Sequence, residues 1–252
     1  MHRAQAVADR IFGRVPAQAT TTVALNVRDA GAMTVALQQD SKDAIFSGAL
    51  SIAEAVQGLD RGLYTWSTVK LYYSVFYLTR AILGLSGTAL IYVRHSPYSW
   101  KSSSGHPPVK RSGTTHKAAF ATFTSNHPNH VLISQTVGTD APFDWLMSLR
   151  EQANYKLPKF LEPLAPQHFK SVEKHGARQM LRAYLNDGAH LYDFDPDHAM
   201  LAFPVATLKE AVAVLCSTTG STLPQADLTL LAQQCADRLG PVAEFGTLLR
   251  QS

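Results

Sequence analysis

The chain is poor in cysteine and lacks the segments that direct proteins into or across membranes. It has 252 residues and only two cysteines, Cys216 and Cys235. Two cysteines at this spacing provide neither a disulfide framework nor a zinc motif. No apolar run is long enough to span a membrane, and the N-terminal residues lack the apolar segment of a secretory signal. These absences predict a cytoplasmic protein with no metal and no other cofactor.

Acidic residues are absent from residues 61–139, close to a third of the chain. The same stretch contains eight lysines and arginines, whereas the remaining residues contain 15 cations and 19 acids. A charge distribution of this kind points to an acidic partner, with nucleic acid as the first candidate. The alternative interpretation is an uneven distribution by chance, combined with cations that are buried.

The longest apolar stretch, residues 63–85, predicts a central buried helix. Trp66, Phe76 and Arg80 belong to a set of side chains that recurs at three- and four-residue steps and therefore shares one helical face. Further apolar residues widen this surface until little of it is polar, which is typical of a helix with neighbours on several sides. Gly84 lies at the expected end of the helix.

The residues before this helix predict two helices and a strand. An amphipathic helix is expected over residues 2–13, and the β-branched residues 20–27 predict a short strand. A second helix is expected from Asp40, with Ser41 as its N-cap and Gly58 at its end. A short turn joins this helix to the central one, so we expect the two to pack antiparallel.

An irregular basic insert, residues 86–115, follows the central helix. It contains two predicted strands, at residues 89–93 and 98–101. Inserts of this length are more often functional than purely connecting. Aromatic side chains lie among its cations, which is typical of nucleic-acid-binding surfaces, although aromatics of a hairpin also pack against their own domain. The predicted RNA-binding residues are Arg94, Lys101, Lys110, Arg111, His116 and Lys117.

A helix that follows Asp140 and ends before Pro158 carries the candidate catalytic residues. Arg150 and Asn154 are four residues apart and are expected to share a face, with Tyr155 adjacent. An arginine can neutralise a scissile phosphate while a neighbouring group transfers protons. Tyrosine, with an unperturbed pKa of about 10, is a weaker base than histidine near neutral pH. The alternative is structural: Arg150 pairs with an acid or caps a carbonyl, and Tyr155 packs.

The chain after Pro166 is predicted to be mostly helical. Helices are expected over residues 176–185, 204–216 and 228–239, and Pro241 can open a last one. No P-loop, dinucleotide fingerprint or strained serine elbow is present. A third alternative for a catalytic site is His190 or His198 acting with Asp193.

Three segments carry a family resemblance: residues 66–83, 113–117 and 149–155. In order and spacing they resemble the four-helix core of the HEPN superfamily, and its YaaC-like branch, across residues 42–161. The resemblance implies an up-and-down helical bundle that often forms homodimers. Many HEPN proteins are RNA-cleaving toxins or antiviral effectors that need no metal and use an arginine followed, after four to six residues, by histidine. Arg150 matches the arginine, whereas Tyr155 stands where a histidine is expected.

The resemblance therefore implies an RNA-binding homodimer. For a catalytically active member it further implies metal-independent ribonuclease activity in a defence or toxin–antitoxin system. Because other HEPN members act as binding, adaptor or sensor modules, the alternative is a non-catalytic subunit that binds a partner protein of the same operon. The expected fold is all-α: an antiparallel HEPN-like helical bundle with a small β-hairpin insert and extra C-terminal helices. The expected division is an N-terminal arm (residues 1–40), the bundle with its insert (41–165) and a C-terminal helical extension (166–252).

Overall fold

The computed structural model of the protein describes residues 2–13, 15–235 and 243–250. The fold is mostly helical and contains a small antiparallel sheet, as the sequence predicts. Packing divides the chain into two compact units, each built from two segments. Unit 1 comprises Met1–Ala44 and Thr79–Pro128, and unit 2 comprises Ile45–Leu78 and Asn129–Ser252. Both long helices contribute to both units, and the expected division into residues 1–40, 41–165 and 166–252 stays a prediction.

The described residues form ten α-helices and three strands. The helices are α1 (Arg3–Phe12), α2 (Val27–Leu59), α3 (Tyr64–Leu85), α4 (Thr115–Asn126), α5 (Pro142–Glu151), α6 (Lys170–His175), α7 (Ala177–Leu185), α8 (Ala199–Thr219), α9 (Gln225–Cys235) and α10 (Ala243–Arg250). The strands are β1 (Thr88–Val93), β2 (Ser96–Lys101) and β3 (Val109–Lys110). A π-helical segment, Gln152–Lys156, continues α5.

The start of α2 differs from the prediction. No strand forms over residues 20–27, where a 3-10 helix (Ala17–Thr22) is followed by α2 itself. Asn26 is the N-cap, since its Oδ1 accepts a hydrogen bond of 2.8 Å from the amide of Asp29. Ser41, the predicted N-cap, instead lies buried in the middle of α2. β-Branched residues favour strands only where a sheet offers them a partner, and here the three strands come from elsewhere in the chain.

Helices α2 and α3 pack antiparallel, as the short turn predicts, and their contacts are close. In unit 1, Ser41 Oγ donates a hydrogen bond of 3.1 Å to the carbonyl of Ala81. In unit 2, a Cβ atom at Gly48 would lie 2.6 Å from Leu78 Cγ. A buried serine that reaches the facing backbone and a glycine that admits a facing leucine both require a short distance between the helices.

The sheet of unit 1 confirms both predicted strands and adds a third. β1 pairs with β2 from Thr88 opposite Lys101 to Val93 opposite Ser96, and β2 pairs with β3. The intervening residues, Arg94 and His95, have φ values of 48° and 71°, as a two-residue hairpin turn requires. β3 contains only two residues, which is too short for a period-two pattern to reveal in the sequence.

Each face of the sheet is covered by a different helix. On one face, the ring of Trp100 lies 5.0 Å from that of Phe12 on α1. On the other, both ends of α4 bond to β1: the hydroxyl of Tyr92 donates to that of Thr115, and Asn126 Nδ2 donates to the hydroxyl of Thr88. The sheet is therefore a packed layer of unit 1, although its rim carries cations.

Unit 2 contains the most apolar helix, α8. Among the described residues it alone is long and apolar enough to cross a membrane, with a mean hydropathy of 1.7, but 72% of that window is buried inside the protein. The burial is that of a core helix. α8 also begins five residues before the predicted start at Pro204, because nearly continuous burial from Ala199 to Leu208 outweighs the loss of one backbone hydrogen bond at the proline.

The other C-terminal helices agree with the sequence analysis where they are described. Helix α7 matches the predicted helix over residues 176–185. The predicted helix over residues 228–239 corresponds to α9, which begins at Gln225. Residues 236–239 and Pro241, the predicted start of the last helix, lie outside the described residues.

The close packing of α2 on α3 predicts opposite effects for two glycine substitutions. Gly48→Ala is expected to lower the free energy of unfolding by about 1–3 kcal/mol, because the new methyl group overlaps the buried Leu78 side chain. Gly31→Ala, on an exposed part of α2 with no atom within 4 Å, should raise it by up to about 1 kcal/mol through helix propensity. Urea unfolding of both variants measures the difference, and equal stabilisation by both would contradict the packing described.

Candidate functional site

Arg150 lies near the end of α5, against a buried tyrosine of α3. Its guanidinium carbon is 4.9 Å from the centroid of the Tyr72 ring and 5.9 Å from that of Tyr155. The Nε atom is buried and has no hydrogen-bond partner among the described residues. No carboxylate of the described residues forms an ion pair with Arg150. Its positive charge therefore lies near two aromatic rings. The guanidinium has five N–H donors, so its hydrogen bond with the Tyr72 side chain leaves donors for another ligand.

Tyr72 is fully buried, and this decides its chemistry. Burial raises the pKa of Tyr72 to about 12, although the adjacent Arg150 acts in the opposite direction. The phenol is therefore neutral at physiological pH and cannot act as a general base there. From the sequence, Tyr72 is a residue of the central helix with no predicted role at the site, because a tyrosine that only packs in the core follows the same pattern.

The π-helical segment changes how the other two predicted catalytic residues are presented. The extra residue in its turn breaks the four-residue spacing that would align Asn154 with Arg150. No hydrogen bond joins these two side chains among the described residues, and Asn154 is half-buried. Tyr155 is 76% exposed and meets Arg150 through its ring. The structure thus brings Arg150 together with Tyr155 and Tyr72, whereas Asn154 makes no polar contact with it.

All six predicted RNA-binding residues belong to unit 1. Arg94 occupies the hairpin turn and donates a hydrogen bond of 3.1 Å to the carbonyl of Val15. Arg111 Nε donates one of 2.8 Å to Ser99 Oγ. Lys101 ends β2 and Lys110 ends β3, both exposed. His116 and Lys117 lie in the first turn of α4, the former half-buried and the latter exposed.

Five of these residues, which we call the insert cations, lack carboxylate partners. They are Arg94, Lys101, Lys110, Arg111 and Lys117. In contrast, Arg10 of unit 1 forms an ion pair with Asp29 at 2.7 Å, and Arg3 forms one with Asp40 at 3.4 Å. Over the described ranges of the chain, no ion pair involves an insert cation. The absence of acids from residues 61–139 thus becomes a local excess of exposed positive charge.

The aromatic residues of the insert do not join this surface. Trp100 is completely buried and Tyr98 almost so, both within the cluster that α1 and the start of α2 complete. The hydroxyl of Tyr92 is engaged by Thr115. The alternative interpretation of these aromatics, as packing residues of a hairpin, is therefore correct for Tyr98 and Trp100.

Unit 2 exposes a group of apolar side chains beside the start of α3. The rings of Trp66 and Phe160 are 6.2 Å apart, and they are 53% and 57% exposed. Glu162 anchors the segment around Phe160, because its carboxylate accepts hydrogen bonds of 2.8 and 2.7 Å from the amide and hydroxyl of Thr65. The prediction that Trp66 lies on the buried face of the central helix is wrong, because its side chain is exposed. We call the exposed apolar residues of these two chain segments the apolar group; they are Leu63, Trp66, Leu157, Phe160 and Leu164.

Of the two C-terminal histidines considered with Asp193, His190 contacts this carboxylate and His198 has other partners. His190 Nδ1 lies 2.6 Å from Asp193 Oδ2. His198 instead contacts the hydroxyl of Tyr184 at 2.8 Å and that of Ser171 at 3.3 Å. Across the described residues, no group of three or more histidine, cysteine, aspartate or glutamate side chains could hold a metal ion.

Comparison with known proteins adds no family to this description. No protein-family model matches the chain, and neither the curated proteins nor the solved structures include a significant match.

One half-buried histidine lies beside α5 and makes the stability of unit 2 sensitive to acid. The His168 ring is 6.4 Å from that of Trp145 on α5, and its Nε2 is 3.4 Å from Thr68 Oγ1 on α3. Burial lowers the pKa of His168 from 6.5 to about 4. Between these values the unfolded chain binds a proton that the folded chain excludes, so the stability present above pH 6.5 is lost as the pH falls towards 4.

We therefore expect the free energy of unfolding to decrease by roughly 2 to 3 kcal/mol between pH 6.5 and pH 4 through His168 alone, at about 1.4 kcal/mol per pKa unit. His168→Phe should remove this part of the pH dependence, whereas substitution of the exposed His95 by glutamine should leave it in place. Denaturant unfolding across this pH range provides the measurement. An identical pH profile in wild type and His168→Phe would show that His168 is not the group responsible.

Proposed function

We propose that this chain binds RNA through the insert cations of unit 1. The proposal depends on one observation: these cations are largely exposed and have no carboxylate partner among the described residues, whereas Arg3 and Arg10 of the same unit do. Exposed cations that no protein carboxylate neutralises favour a phosphate backbone, because each contact releases condensed counterions. Among nucleic acids, the resemblance to HEPN domains favours RNA, and the scarcity of cysteine favours a cytoplasmic protein.

Arg150 supplies a further phosphate contact in this proposal. Near the rings of Tyr72 and Tyr155, its guanidinium keeps donors that can address a phosphate oxygen. A HEPN-like bundle is supported by the antiparallel pair α2 and α3, with Arg150 packed on the aromatic face of α3. Cleavage by the RNA 2′-hydroxyl also needs a proton acceptor, and Tyr72, with a pKa of about 12, cannot be one near neutrality. Because Tyr155 also stands where a histidine is expected, we propose RNA binding without cleavage.

The salt dependence of RNA binding tests this proposal. Replacement of Arg94, Lys110 and Lys117 by alanine should weaken binding of single-stranded RNA at least tenfold at about 50 mM salt. The slope of log K against log salt is negative, and the variant should make it less steep by about 2. Each lost phosphate contact on a single strand contributes about 0.7 to the steepness. The matched control replaces Arg61, Lys159 and Lys174, which are exposed cations of unit 2. Equal effects of both triple variants would contradict an interface at the insert.

The same incubations, with and without chelator, report on cleavage. We expect wild-type protein to retain labelled RNA intact. Chelator-resistant cleavage that Arg150→Ala abolishes would instead establish a metal-independent ribonuclease and overturn the binding-only assignment.

A second candidate function, interaction with another protein chain, is favoured by the apolar group around Trp66 and Phe160. Exposed apolar residues that lie next to one another are typical of interfaces. In this alternative the partner is a second copy of the chain, and the protein acts as a non-catalytic subunit that can also receive a partner protein of the same operon.

Sedimentation equilibrium tests the second candidate. Combined Trp66→Glu and Phe160→Glu substitutions should convert a dimer to a monomer, because each places a charge in the apolar contact. Val35→Glu, at a residue that is 61% exposed on α2 outside the apolar group, is the control and should leave the dimer intact. A wild-type protein that sediments as a monomer at high micromolar concentration would rule out self-association through this surface.

A further inference from the structure

A polar cavity of about 450 Å³ opens in unit 1 where three elements end. α3 ends at Leu85, β2 at Lys101 and α4 at Asn126, and the residues at or just beyond these ends form the wall. Its volume falls within the range of about 300 to 1,000 Å³ that is usual for small-molecule sites. The wall residues that matter here are Ser86, Lys101, Ser102, Ser125, Asn126 and His127.

Hydrogen bonds between neighbouring elements hold the polar wall in place. Asn126 Nδ2 donates a bond of 3.0 Å to Thr88 Oγ1, which joins the end of α4 to the start of β1. Thr34 Oγ1 donates one of 3.1 Å to Ser102 Oγ, and the amide of Ser102 donates one of 2.8 Å to the carbonyl of Gly87. The wall is therefore largely formed before a ligand arrives, which lowers the entropy cost of binding.

The charge of the wall suits a ligand with an anionic part. The lining contains no carboxylate, and Lys101, one of the insert cations, supplies a full positive charge. Serine and threonine hydroxyls around it can donate to phosphate oxygens. No phenylalanine, tyrosine or tryptophan lines the cavity, so the wall offers a nucleobase no stacking partner apart from the His127 ring.

The carbonyl groups at the ends of α3 and α4 favour a ligand that also has hydrogen-bond donors. The amides of Ser86, Gly87 and His127 donate to the carbonyl groups of Ile82, Gly84 and Phe123. The other carbonyl groups in the last turns of α3 and α4 lack partners from their own helices and carry partial negative charge. A bare anion would be repelled by these carbonyls, whereas a ligand that also presents hydroxyl donors would satisfy them. Ribose hydroxyls next to a phosphate combine the two properties, and the 2′-hydroxyl is the group that distinguishes ribose from deoxyribose.

We propose that this cavity binds the ribose 5′-phosphate portion of a ribonucleotide, with Lys101 at the phosphate and the carbonyl ends of α3 and α4 at the ribose hydroxyls. The ligand can come from a free nucleotide or from the 5′-phosphorylated end of an RNA. In the second case the inference rests on the proposed function, since the insert cations would hold the remainder of the strand.

Calorimetric titration with adenosine monophosphate and its deoxy counterpart tests the site without a long RNA. Wild-type protein should bind the ribonucleotide at least fivefold more tightly than the deoxyribonucleotide. Ser125→Trp, which fills the cavity, should abolish binding of both. Thr124→Trp places the same bulk on the neighbouring exposed residue outside the lining and should change neither.

Lys101→Ala, at an exposed residue where loss of folding is not expected, is a second variant and should weaken binding at least tenfold. Equal affinity for the two nucleotides, or binding that survives Ser125→Trp in a variant that unfolds like wild type, would overturn the proposal.

Competition with RNA separates the two sources of the ligand. If the cavity takes an RNA end, 5′-phosphorylated RNA should bind more tightly than 5′-hydroxyl RNA of the same sequence, and adenosine monophosphate should remove the difference. If it takes a free nucleotide, the two RNAs should bind equally while the nucleotide still binds. Loss of nucleotide binding with retention of salt-sensitive RNA binding would overturn only the cavity proposal. Loss of RNA binding alone would overturn the function proposed for the insert.

Discussion

The short distance between α2 and α3 is the constraint on which the rest of the structure depends. In unit 1 a buried serine of α2 reaches the backbone of α3, and in unit 2 Gly48 admits the side chain of Leu78 where any larger residue would overlap it. Because α2 covers one side of α3 closely, the other sides of α3 can contact other elements of the fold. Tyr72 can therefore be fully buried and still present its ring to Arg150, and the sheet can begin within three residues of the end of α3.

The basic surface of unit 1 follows from the way its sheet is packed. The aromatic and aliphatic residues of β1 and β2 pack against α1 on one face of the sheet and α4 on the other. The cations therefore lie at the turn, at the strand ends and at the start of α4. At the ends of secondary-structure elements a charged side chain can stay hydrated, so it avoids the free-energy cost of desolvation. The cavity that includes Lys101 arises at the same rim, where two helices and a strand terminate together.

Much of the fold is readable from the sequence because it depends on periodicity over long segments. The central helix, the amphipathic α1, the two main strands and the absence of acids around the insert are all local patterns, and the structure bears them out. The start of α2 was also readable in principle, since Asn26 followed three residues later by Asp29 is a helix-start signal. Ser41 competes with it as an N-cap candidate, and a serine in a sequence has the same appearance whether it caps a helix or bonds to a facing backbone.

The candidate sites show where sequence reasoning ends. By itself the sequence determined the helical class, the basic insert and Arg150 as the arginine to consider, because composition and spacing are properties of the chain alone. Only the tertiary structure decided that Arg150 rests on Tyr72, that a π-helical turn separates it from Asn154, and that Trp100 is core while Trp66 is exposed. Only the tertiary structure also brings Ser86, Lys101 and Ser125 to one cavity. Burial and proximity between residues distant in the chain depend on which elements pack together, and local spacing carries no information about that packing.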